Sequence, residues 1–115
     1  MAGSSQTIRD LNDRFRKGDS TIPGQVMITQ GVQALIAAHD GEDVISVLAV
    51  VRRFNAFNAD NDPYDEHEFG AFEFMGSKLF WKLDYYARDM QHGSEDPADT
   101  AQTVRILTIM LAEEY

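Results

Sequence analysis

No cysteine occurs among the 115 residues, which excludes disulfides, thiolate metal ligands and a cysteine nucleophile. Prolines number three, so few positions are locked in φ. No apolar run is long enough to cross a bilayer. Met1 to Gln6 is small and polar, without the basic region and apolar core of a signal peptide. These absences lead us to expect a cytoplasmic protein with no membrane partner. Cations are also scarce, 10 Lys and Arg against 19 Asp and Glu, for a net charge of −9. Such a surface repels phosphate backbones, so direct nucleic-acid binding is not expected. It suits a basic protein partner, including one whose own groove binds nucleic acid, although high net charge also serves solubility alone.

Chemical signatures are missing too. Ser46, Ser77 and Ser94 lack a nucleophile elbow. No phosphate-cradling glycine loop, dinucleotide fingerprint, calcium loop or His-Glu-x-x-His stands in the chain. Lys82 beside Trp81 and the tyrosines is one cation in an acidic surround, too little for a base-stacking surface. No repeat or linker divides the chain, so residues 1–115 read as one domain. The apolar fraction of 43% is ordinary for a protein that builds a core.

What is present reads as an α+β chain. Residues 7–17 suit a helix: Thr7 as cap with Asp10 three residues on, Ile8, Leu11 and Phe15 on one face, Arg14, Arg16 and Lys17 toward the end, and Gly18 as the stop. Pro23-Gly24 marks a turn, and Gln25 to Thr29 a short strand with Val26 and Ile28 on one side. Val32 to Ala38 fits either a strand or a helical turn. Residues 42–54 fit a helix better than a strand, with Asp40 and Gly41 as cap and Arg52 and Arg53 in the last turn. Alternation around Phe72 and Phe74, then Leu79, Trp81, Leu83 and Tyr85, predicts a β-hairpin over 69–86 turning at Gly76-Ser77. Asp96-Pro97 or Asp99 opens a final helix carrying Val104, Leu107, Met110 and Leu111. The expected fold is a small antiparallel sheet of about three strands packed with about three helices, since amphipathic elements must bury their faces on one another.

The least ordinary stretch is Asn61-Asp62-Pro63-Tyr64-Asp65-Glu66-His67-Glu68-Phe69-Gly70. Turn formers dominate it, and His67 is set among acids. Carboxylates with an imidazole can hold a divalent ion, but neighbours on an extended segment point apart. Only alternate members such as Asp65 and His67 could converge, with Asp84 joining from the hairpin. The plainer reading makes Asp62, His67 and Gly70 organisers of the loop: Asp62 braces the turn through backbone amides, His67 ties it to the hairpin, and Gly70 permits a tight backbone approach.

Several stretches resemble the bacterial domain-of-unknown-function family 3768: Ile8-Arg9-Asp10-Leu11-Asn12-Asp13, Asn61-Asp62-Pro63-Tyr64, Glu66-His67-Glu68-Phe69-Gly70, Trp81-Lys82-Leu83-Asp84-Tyr85-Tyr86, Asp96-Pro97-Ala98-Asp99, and Leu107 through Tyr115. The family pattern has Asp where this chain has Glu68, Ile for Leu83 and Asp for Ala87, so any role needing an acid at 87 is absent. The resemblance implies no activity, only a bacterial setting with genes often carried on mobile elements.

Two function classes follow. The first is a non-enzymatic accessory protein of a mobile element, in concrete form an anti-defence (anti-CRISPR or anti-restriction) protein. It would set Asp60, Asp62, Asp65, Glu66, Glu68 and Glu73 against a basic partner, without metal or cofactor. The second is a small metal-dependent or acid–base enzyme centred on His67 with Asp65 and Asp84. Convergence of those three side chains in a concavity favours the enzyme; acids splayed over a convex face favour the binding protein.

Overall fold

The computed structural model describes residues 4–39 and 41–115. Its elements in order are α1 (Ser4–Arg16), β1 (Gly24–Ile28), α2 (Gln30–Ala37), α3 (Val44–Arg53), β2 (Phe69–Phe74), β3 (Ser77–Tyr86), β4 (Val104–Leu111) and a short 3-10 turn, Ala112–Glu114. The class is α+β, as the alternating patterns imply. The sheet holds four strands in the order β1-β4-β3-β2. β1 runs parallel to β4, whereas β4–β3 and β3–β2 are antiparallel, so the sheet is mixed rather than purely antiparallel.

The largest correction concerns 104–111, which is a strand and not a helix. Arg105, Leu107 and Ile109 are buried, and so are Ile106 and Met110 of the alternate set. A central strand buried on both sides makes an apolar run that fits a helical stripe as readily as a sheet. The supposed helix start is a pair of Asx turns: Asp96 Oδ1 accepts the Ala98 amide and Asp99 Oδ1 the Ala101 amide.

Smaller shifts have local causes. α1 already begins at Ser4, which puts Thr7 inside the helix and not at its cap. Thr29 does not extend β1; its hydroxyl caps α2 by accepting the Val32 amide. The ambiguous stretch from Val32 is thus helix as far as Ala37, with Ala38 as the C-cap. Asp43 caps α3 by accepting the Ser46 amide at 2.9 Å, one turn later than the Asp40-Gly41 pair; Asp40 lies outside the described residues. The hairpin turns at Met75-Gly76, one residue early, because both adopt positive φ, 55° and 78°, as the tight hairpin turn requires.

The helices cover one face of the sheet. Leu79, Trp81, Leu83, Leu107 and Ile109 meet Val32 of α2 and Val47 and Val51 of α3 there. The other face carries Phe69 and Phe80 with ring centroids 5.0 Å apart, and Tyr115 packs 5.6 Å from Phe80. Trp81, fully buried, is met edge-on by Phe54 and Phe57 from the chain after α3. That aromatic wedge fixes where the polar loop leaves the core.

Gly70 opens the hairpin directly over the indole. A Cβ there would overlap Trp81 Nε1 and lie 2.7 Å from Phe54 Cζ. Gly70→Ala is expected to destabilise the fold by about 1–3 kcal/mol, as overpacking does, whereas Gly93→Ala, where the nearest atom is 3.9 Å away, should stay within about 0.5 kcal/mol. Urea denaturation of the two variants checks the contrast; equal stabilities would show that the ring contact is not limiting.

Candidate functional site

The loop after Phe57 is built by short polar side chains. Asn58 Oδ1 accepts the amides of Asp60 and Asn61, while Asn61 Oδ1 accepts the Asn58 amide. This places Asp62 in the interior, 8% exposed. Asp62 Oδ1 then accepts the amides of Glu66 and His67, each at 3.1 Å. Those two bonds hold an unusual backbone, with φ of 56° at Asp65 and 55° at His67, a region that residues other than glycine seldom adopt. Alternate left-handed residues also turn Asp65 and His67 back toward Asp62, which an extended strand would not do.

The polar side of α1 forms the opposite wall. Asn12 is fully buried. Its Nδ2 donates to the Glu66 carbonyl at 2.9 Å and to Tyr85 Oη at 2.8 Å, while its Oδ1 accepts from Arg105 Nε at 2.7 Å. Arg16 donates through one terminal nitrogen to the carbonyls of Val51, Arg52 and Phe54, capping α3, and through the other to Asp13. Arg9 forms an ion pair with Asp65. Asn12 and Asp13 lie one turn before Arg16 on the helix, so one side of it reaches the loop, α3 and β4 together.

His67 sits at the meeting point. Its ring stacks on Phe57 with centroids 3.7 Å apart and planes within 2°. Its Nδ1 lies 2.8 Å and 3.1 Å from the two Asp13 oxygens. An ionised carboxylate can only accept, so the Nδ1 proton points at Asp13. Nε2 therefore faces Asp62 Oδ2 at 3.5 Å and Asp65 Oδ1 at 3.8 Å. Phe57, Asn58, Asp62, Asp65 and His67 line a cleft of about 420 Å³. One ligand atom each from Asp62, Asp65 and His67 falls within 4.8 Å of the others, so the cleft can take a cation.

The other acids singled out from sequence are dispersed. Asp60 is exposed at the loop tip and Glu73 on β2 opposite Lys78. Glu66 is half-buried, and Glu68 Oε2 accepts from Tyr85 Oη at 3.1 Å. Burial, and then the nearby Glu68 and Asp62, raise the Glu66 carboxyl above the usual glutamate value. Burial likewise raises the Tyr85 phenol. Asp84 does not join His67: it pairs with Lys82 at 3.1 Å and lines a different depression with Glu68, Phe69 and Tyr115. Sequence reading missed Arg9, Asn12, Asp13, Phe57 and Tyr85. The available signal was Asn12 beside Leu11 in a helix interior, where asparagine is disfavoured unless its amide has work to do.

Fold and cleft together define a small α+β fold whose loop, stapled to helix α1, presents a histidine among carboxylates. The chain belongs to the family of proteins of unknown function known as DUF3768, whose model matches residues 28–114. No curated protein and no solved structure matches it.

Two measurements follow. His67→Ala removes the Asp13 bond and the ring stack and is expected to cost about 1–3 kcal/mol in thermal or urea denaturation, with His67→Gln recovering part of it; wild-type stability in both would deny the ring a structural role. Glu66 offers a pH test. A carboxyl whose folded pKa is raised destabilises the folded state above that pKa and is neutral in its effect below the unfolded value. Glu66→Gln is therefore expected to raise stability at pH 7, and the gain should vanish as pH falls through the usual glutamate range. A gain that persists at low pH would place its origin outside ionisation.

Proposed function

We propose that the chain is a non-enzymatic binding protein that receives a cationic group of a basic partner in the cleft of Asp62, Asp65 and His67. The observation that carries this reading is that Asp65 already holds a guanidinium, that of Arg9, at the cleft. A partner's arginine or lysine can make the same contact, with the buried Asp62 behind it. The net charge of −9 steers a basic protein toward the surface. Asp60 and Asp65 are the acids available at this end, whereas Asp62, Glu66 and Glu68 serve the loop's interior. Basic grooves of nucleic-acid-binding proteins, bacterial defence components among them, present such groups. An anti-defence accessory protein of a mobile element is the concrete form of the proposal.

Titration with a short arginine-rich peptide is expected to shift the His67 ring signals and to weaken as salt rises. Asp65→Asn should weaken binding about fivefold, in the range for a rim charge. Arg9→Gln should strengthen it, because the resident competitor is gone. Binding that ignores salt and both substitutions would sink the proposal. Capture from a bacterial lysate over the same salt series then identifies the basic partner.

A second reading, a small acid–base or metal-dependent enzyme centred on His67, is favoured by the Asp13–His67 pair. A carboxylate on Nδ1 orients an imidazole to use Nε2 as a base or a metal ligand. Asp62 takes the place that Asp84 was expected to fill. Stoichiometric uptake of Mn²⁺ or Zn²⁺, lost in a folded His67→Ala variant, would put this reading in place of the first.

A further inference from the structure

A second surface lies away from the cleft and has the opposite charge. Five of the chain's 10 Lys and Arg residues, the buried Arg16 together with Arg14, Lys17, Arg52 and Arg53, stand at the C-terminal ends of α1 and α3. Arg16 brings those ends together by capping the last carbonyls of α3. Arg14 is paired with Asp19 and Arg16 with Asp13, whereas Lys17, Arg52 and Arg53 have no ion pair among the described residues. The Arg52 guanidinium passes over Gly18 and lines a cleft of about 270 Å³ with Phe15, Leu48, Val26 and Leu107.

β1 borders this cleft and is an edge of the sheet. In its parallel pairing with β4, the Pro23 carbonyl accepts from Arg105 and the Thr29 amide donates to Ile109. A parallel ladder uses both backbone groups of alternate residues on the same neighbour, so 25 and 27 also face β4, and Gly24, Val26 and Ile28 face outward. The Ile28 carbonyl is taken by the Gln33 side chain. The amides of Gly24, Val26 and Ile28 and the carbonyls of Gly24 and Val26 have no partner among the described residues. The strand carries no charge or proline to discourage pairing, the usual protection of an edge. Val26 and Met27 are 45% and 51% exposed.

We infer that β1 is a docking edge for an extended acidic peptide strand of another protein. Such a strand adds beside β1 through the outward groups of Gly24, Val26 and Ile28. It places an apolar side chain in the cleft against Val26 and Leu48, and an acid on Arg52. Charge complementarity chooses the occupant: Lys17, Arg52 and Arg53 stand at this corner without an ion pair among the described residues, and a second copy docked edge to edge would bring the same cations to it. The inference is independent of the His67 cleft, which lies at the other polar wall of α1.

The probe is an acetylated seven-residue peptide alternating aspartate and valine, titrated into the full chain labelled for amide NMR. The amides of Gly24, Val26 and Ile28 are expected to shift and to exchange more slowly. The lysine-for-aspartate peptide should bind at least about tenfold more weakly. Val26→Pro, which removes the central donor at a position where an edge strand tolerates proline, should lower affinity about tenfold or more. Arg52→Gln, exposed and away from the ladder, should lower it several-fold while leaving the fold intact. Equal binding of the two peptides, or shifts confined to residues outside β1, would overturn the inference. So would self-association of the unliganded chain through β1, seen by sedimentation and lost in Val26→Pro, since a second copy would then own the edge.

Discussion

Arg105 is the constraint around which the polar architecture is arranged. It lies in β4 with no exposed surface, and among the described residues no carboxylate pairs with it. Burial lowers its pKa from the ordinary arginine value, but a guanidinium remains charged at neutral pH. The cost of such a charge is held down only by well-placed acceptors. Asn12 Oδ1 supplies one at 2.7 Å and the Pro97 carbonyl another at 2.6 Å, and the Tyr85 ring lies 5.2 Å away as a cation–π partner. A neutral amide at position 12 does what an aspartate could not: it accepts from Arg105 and, through Nδ2, donates to Tyr85 and to the Glu66 carbonyl. One side chain thus ties β4, β3, α1 and the acidic loop into a single network. Cutting it strands several buried groups at once.

The His67 cleft inherits its geometry from that network. Asn12 holds the loop at Glu66, the next residue in α1 holds the ring of His67, and Arg16, one turn on, fixes the exit of α3 from which Phe57 reaches the imidazole. Phe57, Phe54 and Arg16 also surround Trp81, with the Arg16 guanidinium 5.1 Å from the indole. Indole, guanidinium and imidazole therefore share one scaffold. The site is composite: its ring and carboxylates come from the loop within the family match, and the acid that orients the ring comes from a helix ahead of the matched residues 28–114.

Much of the frame was legible because its signals are local. The hairpin over 69–86 announces itself by alternation, α3 by its apolar stripe and terminal arginines, and the loop by its Asn, Asp and Pro turn formers. β4 was not legible, because burial on both faces erases the period that separates strand from helix. Its parallel pairing with β1 was hidden as well, since nothing local specifies a partner some 80 positions away in register, Gly24 with Arg105. Within the site, Asp62-Pro63 marks a turn that an aspartate can brace through backbone amides, and Asp62 Oδ1 does so at the amides four and five residues on. Asp65 and His67 could be named as alternate residues able to converge, but that Asp62 joins them could not be read, because it needs left-handed backbone at two non-glycine residues. The part of α1 was obscured for a different reason. A helix is read by its apolar face, and Asn12, Asp13 and Arg16 look like solvent-facing residues until their partners on three other elements are seen.

The acidic excess is not a uniform coat. Asp13, Asp62 and Glu68 are drawn into the seam between α1 and the loop, where Arg16, His67 and Tyr85 meet them. Arg9 covers Asp65. Half of the cations collect where α1 and α3 end, two ends that the Arg16 cap joins. A single helix therefore separates charge along its length, with carboxylates gathered beside its middle turns and guanidinium groups at its C-terminus. Separation of this kind matters beyond net charge, because a surface potential steers by its local sign, whereas net charge sets only the long-range average. A basic protein approaching the acidic end and an acidic segment approaching the β1 edge would each meet complementary charge over distances comparable with the Debye length, about 8 Å at physiological salt. The buried Arg16 links interior and surface: by capping α3 it brings the ends of α1 and α3 together, and with them the exposed cations that both ends carry.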